Sequence, residues 1–315
     1  MTAAILLALA PVFFVLLLGY AAGRYRIVEN HHVDGLNALV MTFALPAALF
    51  VATASSPRNE MFAQAPLFAI FGGMMLIVYF AWYVHARTVA NVSRADASLQ
   101  ALTIAFPNLA GVGLPIAATL IGPSGTVPLA VALAAGSIII SPLSLIVVEM
   151  STKEPESTAA SPAGRMLGAL RRALTKPIVL APVLGILLSL VDAKLGPVAQ
   201  ACLLLIGCAA PGVALFLTGL ILSSQPFRLD WNVAGATVLA NIVRPLLTAA
   251  IVFVLPVPGE IARIAILLAA VPSGFFGILF AVNYRLDSAT AGSMVIASTG
   301  LSVVTMAVAI AVLYP

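Results

Sequence analysis

The sequence predicts an all-α membrane protein of ten transmembrane helices, arranged as two inverted five-helix repeats with crossed, broken helices 4 and 9. Three observations predict it. The 315 residues are 62% hydrophobic and only 8% charged, against about 25% charged in soluble domains. Ten apolar segments approach the roughly 20 residues that a helix needs to cross a bilayer. Short motifs also recur at one spacing: Pro46 and Pro211, like Pro107 and Pro272, stand 165 residues apart. ALPAALF (44–50) answers APGVALF (210–216), and Phe106-Pro107-Asn108 answers Val271-Pro272-Ser273. Gly136 falls close to Gly300 in the same register. Each half holds five spans, an odd number, so the second half enters the membrane upside down. The division is 1–150 for the first repeat, 151–172 for a linker and 173–315 for the second repeat.

The predicted spans are 3–23, 33–54, 61–85, 96–121, 126–149, 174–192, 197–222, 232–255, 260–284 and 288–313. The first has no basic segment ahead of it and is followed by Arg24 and Arg26, so it reads as a retained span rather than a signal peptide. Trp82, Trp231, Tyr20, Tyr79, Tyr83, Tyr284 and Tyr314 fall near span ends, where an interfacial aromatic belt would stand. The loop from Ser151 to Arg172, rich in Ser, Thr, Ala and Pro, is too short for a domain.

Lys and Arg set the orientation. Arg24, Arg26, Arg87, Arg94, Lys153, Arg165, Arg171, Arg172, Lys176, Arg228 and Arg285 lie on one face; Arg58, Lys194 and Arg263 lie on the other. The first face is therefore expected in the cytoplasm, with both termini and Pro123 outside. The net charge of +4 lies between spans and implies no nucleic acid. Cys202 and Cys208 sit on different faces of one helix and do not suit a disulfide, and His31, His32 and His85 have no partner at metal-ligand spacing. No cofactor is expected.

The fourth span contains FPNLAGVGLP (106–115). Pro107 lacks an N–H and disfavours helix at Phe106. Gly111 and Gly113 loosen the next turn, and Pro115 removes a second donor. The ninth span repeats the theme with Pro272, Ser273 and Gly274. Lipid cannot satisfy the freed backbone groups, so both breaks must face protein or an aqueous cavity. Matched breaks would meet and present half-helix N-termini, whose partial positive charge suits an anion. Asn108 adds a donor and an acceptor. Two kinked packing helices would be the structural alternative.

Arg244 lies mid-span, next to Pro245, with Asn241 one turn earlier on nearly the same face. An arginine at that depth is costly and suggests function. Every acidic residue lies at a span end or in a loop, so Arg244 has no evident counter-ion, although tilt could bring Glu149 closer. Three readings stay open: contact with an anionic substrate, binding of freed carbonyls, or snorkelling. No central carboxylate offers a proton relay. Asn37, Thr42, Ser137, Ser141, Thr218, Asn283, Ser298 and Thr305 read as structural polar groups.

FPNLAGVGLPI resembles the crossover motif of the auxin efflux carrier family, in which a proline–asparagine pair precedes a glycine and a second proline, here Pro107, Asn108, Gly113 and Pro115. VPSGFFGILFAVNYRLD (271–287) is similar to the family's second crossover, with Ser273 where the first has asparagine. LNALVMTFALPAALF, PGVALFLTGLILS and APVFFVLLLGYAAGRY also look like family segments, so the resemblance spans nearly the whole chain. It implies a scaffold part and a moving transport part with elevator-like alternating access. It implies a substrate site at Asn108 and the crossing prolines, and a homodimer. The short central loop points to a bacterial, inner-membrane member of the malonate-transporter type.

The expected function is secondary transport of a small organic anion, such as malonate or an auxin-like acid, across the lipid bilayer. Pro107, Asn108, Gly111, Gly113, Pro272, Ser273, Gly274, Asn241 and Arg244 would form its site. A sodium-coupled symporter of similar fold and a non-transporting membrane receptor are the alternatives. No paired acids, Ser–His or Cys–His arrangement within the spans suggests an enzyme.

Overall fold

The computed structural model describes residues 2–29, 33–122, 125–152, 167–168, 171, 175–224 and 227–314. His31, His32, Pro123, Lys153, Arg165, Arg172 and most of the predicted linker lie outside the described residues. Among those described, all regular structure is helical, and one isolated antiparallel bridge joins Pro107 to Ser273.

In chain order the apolar helices are α1 (Thr2–Arg24), α2 (Val33–Ala54), α3 (Ala65–Thr88), α4 (Arg94–Ala105, then 109–120) and α5 (Val127–Ser151). They continue as α6 (Pro177–Leu190), α7 (Pro197–Ser224), α8 (Trp231–Val254), α9 (Gly259–Ala270, then Phe276–Asn283) and α10 (Ala289–Leu313). Six of these, α2, α3, α5, α7, α8 and α10, are continuous, long and apolar enough to cross a membrane. The expectation of ten spans therefore maps onto six such helices, two interrupted ones and two others. Of those two, α6 is a shorter apolar helix, and α1 supplies a shorter apolar stretch at Ala10–Arg24.

Prolines shape four helices in one way. A π-helical turn occupies Leu39–Ala44, Leu109–Gly113, Gly136–Ile140 and Leu239–Val243, and a proline stands two residues after each: Pro46, Pro115, Pro142 and Pro245. A proline cannot donate to the carbonyl four residues back, and its ring collides with it. One extra residue in the preceding turn moves that carbonyl clear. The amides of Leu45, Leu114, Ser141 and Arg244 then bond the carbonyls five residues back, on Val40, Leu109, Gly136 and Leu239.

Glycines set the closest crossings. A Cβ at Gly19 would lie 2.0 Å from the Phe216 carbonyl oxygen, and one at Gly219 would lie 2.0 Å from that of Leu16. Hence α1 and α7 meet backbone to backbone. A Cβ at Gly277 would lie 2.0 Å from Thr103 Oγ1, which brings α4 against α9.

The interior departs from the aromatic-belt expectation at two residues. Tyr79 and Trp82 are buried, although Trp231 is 93% exposed as a belt residue would be. Tyr79 Oη lies 2.6 Å from Ser98 Oγ, which lies 2.9 Å from Ser144 Oγ, and Trp82 Nε1 donates to Gln100 Oε1 at 3.4 Å. Their polar tips find protein partners on α4 and α5, so these rings tie α3 to its neighbours instead of marking an interface.

Candidate functional site

The first half of α4 begins at Ser93, whose hydroxyl accepts the Asp96 amide at 3.1 Å. It ends at Ala105, because Pro107 forces Phe106 into an extended conformation (φ −95°, ψ 104°). Helical bonding resumes at Leu109, where the Asn108 side chain caps the new helix: Oδ1 accepts the Gly111 amide at 3.1 Å. The first half of α9 ends likewise at Ala270, with Val271 extended ahead of Pro272.

The two breaks are bonded to each other. The Asn108 amide donates to the Pro272 carbonyl at 2.8 Å, and the Gly274 amide donates to Phe106 and Thr103 carbonyls at 2.9 and 3.1 Å. Backbone groups freed by two prolines are thus satisfied mutually, as an apolar setting requires. Gly274 admits this approach, since a Cβ there would lie 2.4 Å from the Phe106 oxygen. The Phe106 ring packs on Phe276 with centroids 4.7 Å apart and lies against Gly136, where a Cβ would come within 2.6 Å of it.

Two residues of α8 complete the assembly. Arg244 is 0% exposed. Its Nε donates to the Ala269 carbonyl at 2.9 Å, and its two terminal nitrogens donate to Ile104 and Val271 carbonyls. Of the three readings left open for this side chain, the geometry matches the binding of freed carbonyls. The guanidinium is thereby engaged at both breaks. Glu149, the carboxylate that tilt could have supplied, instead accepts Tyr284 Oη at 2.9 Å. Asn241 lies within the π turn of α8; it donates to the Ser298 carbonyl at 2.9 Å and accepts Ser298 Oγ at 2.6 Å. Ser298 Oγ accepts the Ser273 amide at 2.9 Å, so Asn241 reaches the second break through α10.

The nine predicted residues therefore converge, by direct bonds or through one intermediary, Gly113 through its amide, which donates to the Asn108 carbonyl at 3.0 Å. A Cβ at Gly113 would meet Leu129 at 3.1 Å and Leu268 at 3.6 Å, so it serves packing beside the break. Gly111 lies where a Cβ would come within 2.8 Å of Asn108 Oδ1, which explains its small size. Ser273 Oγ is buried and makes no hydrogen bond. A buried hydroxyl without a partner is costly, and a ligand group would satisfy it. Sequence reasoning missed Ser98, Ser144 and the role of Gly277. It placed Ser298 among structural groups without its link to the break.

A cavity of about 430 Å³ lies between α2, α4, α5 and α7. Its wall is largely apolar and includes Ala110 and Leu114, just past Asn108, together with Pro211. Ser55, Ser56, Pro57 and Gln200 also border a second cavity of about 420 Å³ that includes Asp192 and Lys194. Among the described residues no group of three His, Cys, Asp or Glu is placed to hold a metal ion.

A model of the family described as membrane transport protein matches residues 4–310. The chain is 30% identical over 285 residues to the protein named "Uncharacterized transporter YfdV" of Escherichia coli (strain K12), covering 90% of this chain and 89% of that one. The protein of the same name in Shigella flexneri has the same identity. The "Putative malonate transporter" of Rhizobium meliloti (strain 1021) is 23% identical over 304 residues, covering 94% of this chain and 92% of that one.

Proposed function

The chain belongs to the membrane transport protein family, that of the auxin efflux carriers, and from that premise we propose that it is a secondary carrier for a small organic anion. It is a multi-pass membrane transporter by family. The observation that carries the finer proposal is the backbone pairing of the two broken helices at Pro107–Asn108 and Pro272–Gly274. Inverted repeats crossed at such breaks build carriers whose substrate binds at the crossing. In this account α1–α5 and α6–α10 are two inverted repeats, and the bacterial inner membrane holds them with both termini outside the cytoplasm.

Each site residue then has a task. Pro107 and Pro272 end the first half-helices, and Gly274 lets them touch. Asn108 fixes the start of the second half of α4, whose positive end favours a carboxylate. Ser273 Oγ supplies an unused hydroxyl for the same group. The cavity beside Ala110 and Leu114 accepts the hydrocarbon part of the anion. Arg244 and Asn241 hold the breaks in register from α8. Elevator-type movement of the part bearing the crossing, against a scaffold, would expose the site alternately to the two sides. The "Putative malonate transporter" likeness supports a carboxylate substrate.

Purified protein can be screened by thermal unfolding against malonate, succinate, citrate and indole-3-acetate. One carboxylate at about 100-fold its Kd should add about 2.7 kcal/mol of stability. The rise in midpoint should vanish in Asn108→Ala and shrink in Ser273→Ala. A rise that survives both substitutions would place the anion elsewhere.

A further inference from the structure

Arg244 carries a charge that the carrier account leaves without a transport role. Its guanidinium is completely buried and faces three carbonyls, on Ile104, Ala269 and Val271. These are not scattered acceptors. Ile104 is in the last turn of the first half of α4, Ala269 is in the last turn of the first half of α9, and Val271 directly follows that half-helix. The last carbonyls of a helix have no partner within it and carry the negative end of its dipole. Two such ends converge on one point, and no carboxylate stands there among the described residues. In crossed-helix carriers, unwound carbonyls and half-helix C-termini are the groups that coordinate a transported sodium ion.

We propose that the Arg244 guanidinium is a built-in cation that fills this position, so that the carrier joins its two breaks without a coupling sodium ion. The inference rests on the carrier reading of the crossing. The fit is chemical as well as positional. Sodium asks for several oxygens at once from one centre. A guanidinium instead offers N–H donors in a fixed planar fork and can bond carbonyls from separate chain segments in different directions. It cannot leave during the cycle, because unlike a bound ion it is covalently part of α8. A permanently placed charge makes the coupling of the two half-helices independent of the external ion. Arg244 is thus a positioning residue, acting on substrate through the breaks it holds.

The test uses the purified full chain and reads stability and transport separately. Thermal unfolding and anion uptake are measured in sodium and in N-methylglucamine for the native protein, Arg244→Lys and Arg244→Ala. The native protein should show the same midpoint and the same uptake in both media. Arg244→Ala should lose uptake at least tenfold and unfold at lower temperature, and millimolar methylguanidinium should recover part of both. Arg244→Lys should fall between. If Arg244→Ala cannot be purified, the native protein and Arg244→Lys decide. Sodium-dependent uptake or sodium-dependent stabilisation of the native protein overturns the proposal. So does an alanine variant with native uptake, or one indifferent to methylguanidinium. Absence of uptake in every protein would instead strike the carrier reading, and the sodium and methylguanidinium effects on stability would still judge Arg244.

Discussion

At the level of single residues, Asn108 carries the most. Its side-chain oxygen caps the helix that restarts after Pro107, and its amide bonds the opposite break. Loss of a cap of this kind costs about 1 kcal/mol, too little to unfold the protein. Asn108→Ala should therefore insert and purify like the native chain while losing transport at least tenfold; native uptake in that variant would remove Asn108 from the site. Gly277 makes the opposite kind of prediction. A methyl at Gly277 would press on Thr103 Oγ1 and, at 2.4 Å, on the Leu99 carbonyl oxygen. Gly277→Ala should destabilise by about 1–3 kcal/mol, seen as a lower thermal midpoint without regard to ligand. The residue identities at the breaks were legible in the sequence because proline, glycine and asparagine announce a backbone that cannot stay helical. The partners of Arg244 were not legible, because carbonyl acceptors belong to every residue type and leave no compositional trace. Tyr79 and Trp82 were misplaced for a related reason. A ring near a span end looks interfacial until the hydroxyl and amide groups that meet its polar tip, from 18 and 19 residues further along the chain, are known.

At the level of elements, the recurring device is a π turn two residues ahead of a proline in α2, α4, α5 and α8. In α8 the extra residue aims Asn241 at Ser298 and Arg244 at the two half-helix ends. Pro245→Ala would restore a donor and relieve the ring collision, so α8 could drop the extra residue and become regular. Dropping it would rotate the preceding turn by about 100° relative to the rest. Transport should fall and the thermal midpoint with it, because Asn241 and Arg244 would lose their partners; unchanged transport and stability would show that the π turn is only an accommodation of the proline. The mid-span prolines were visible in the sequence as kinks. The form of the kink was not, since a helix can answer a proline by breaking, as α4 and α9 do, or by widening one turn. Packing around the proline decides between these. Gly136 illustrates it: within a π turn, it leaves the space that the Phe106 ring occupies.

At the level of the whole molecule, the helical class and membrane character were legible from composition and hydropathy. The meeting of the two breaks was inferred from an offset of 165 residues. That offset gives correspondence but not contact; the contact depends on Gly274, whose lack of a Cβ lets two backbones touch. Orientation rests on Lys and Arg placement and can be tested directly. In a background with Cys202→Ala and Cys208→Ala, Asn59→Cys should react with an impermeant thiol reagent added to intact cells. Thr88→Cys should react only after the membrane is opened. The reverse pattern would invert the topology.

Anion transport through the crossing of α4 and α9 stands at the centre of this reading. It can be tested by the current from purified protein on a supported membrane, challenged with malonate, succinate, citrate and indole-3-acetate. Transport at the crossing predicts a saturable current for at least one carboxylate, lost in Asn108→Ala. A current of native size in Asn108→Ala would contradict it.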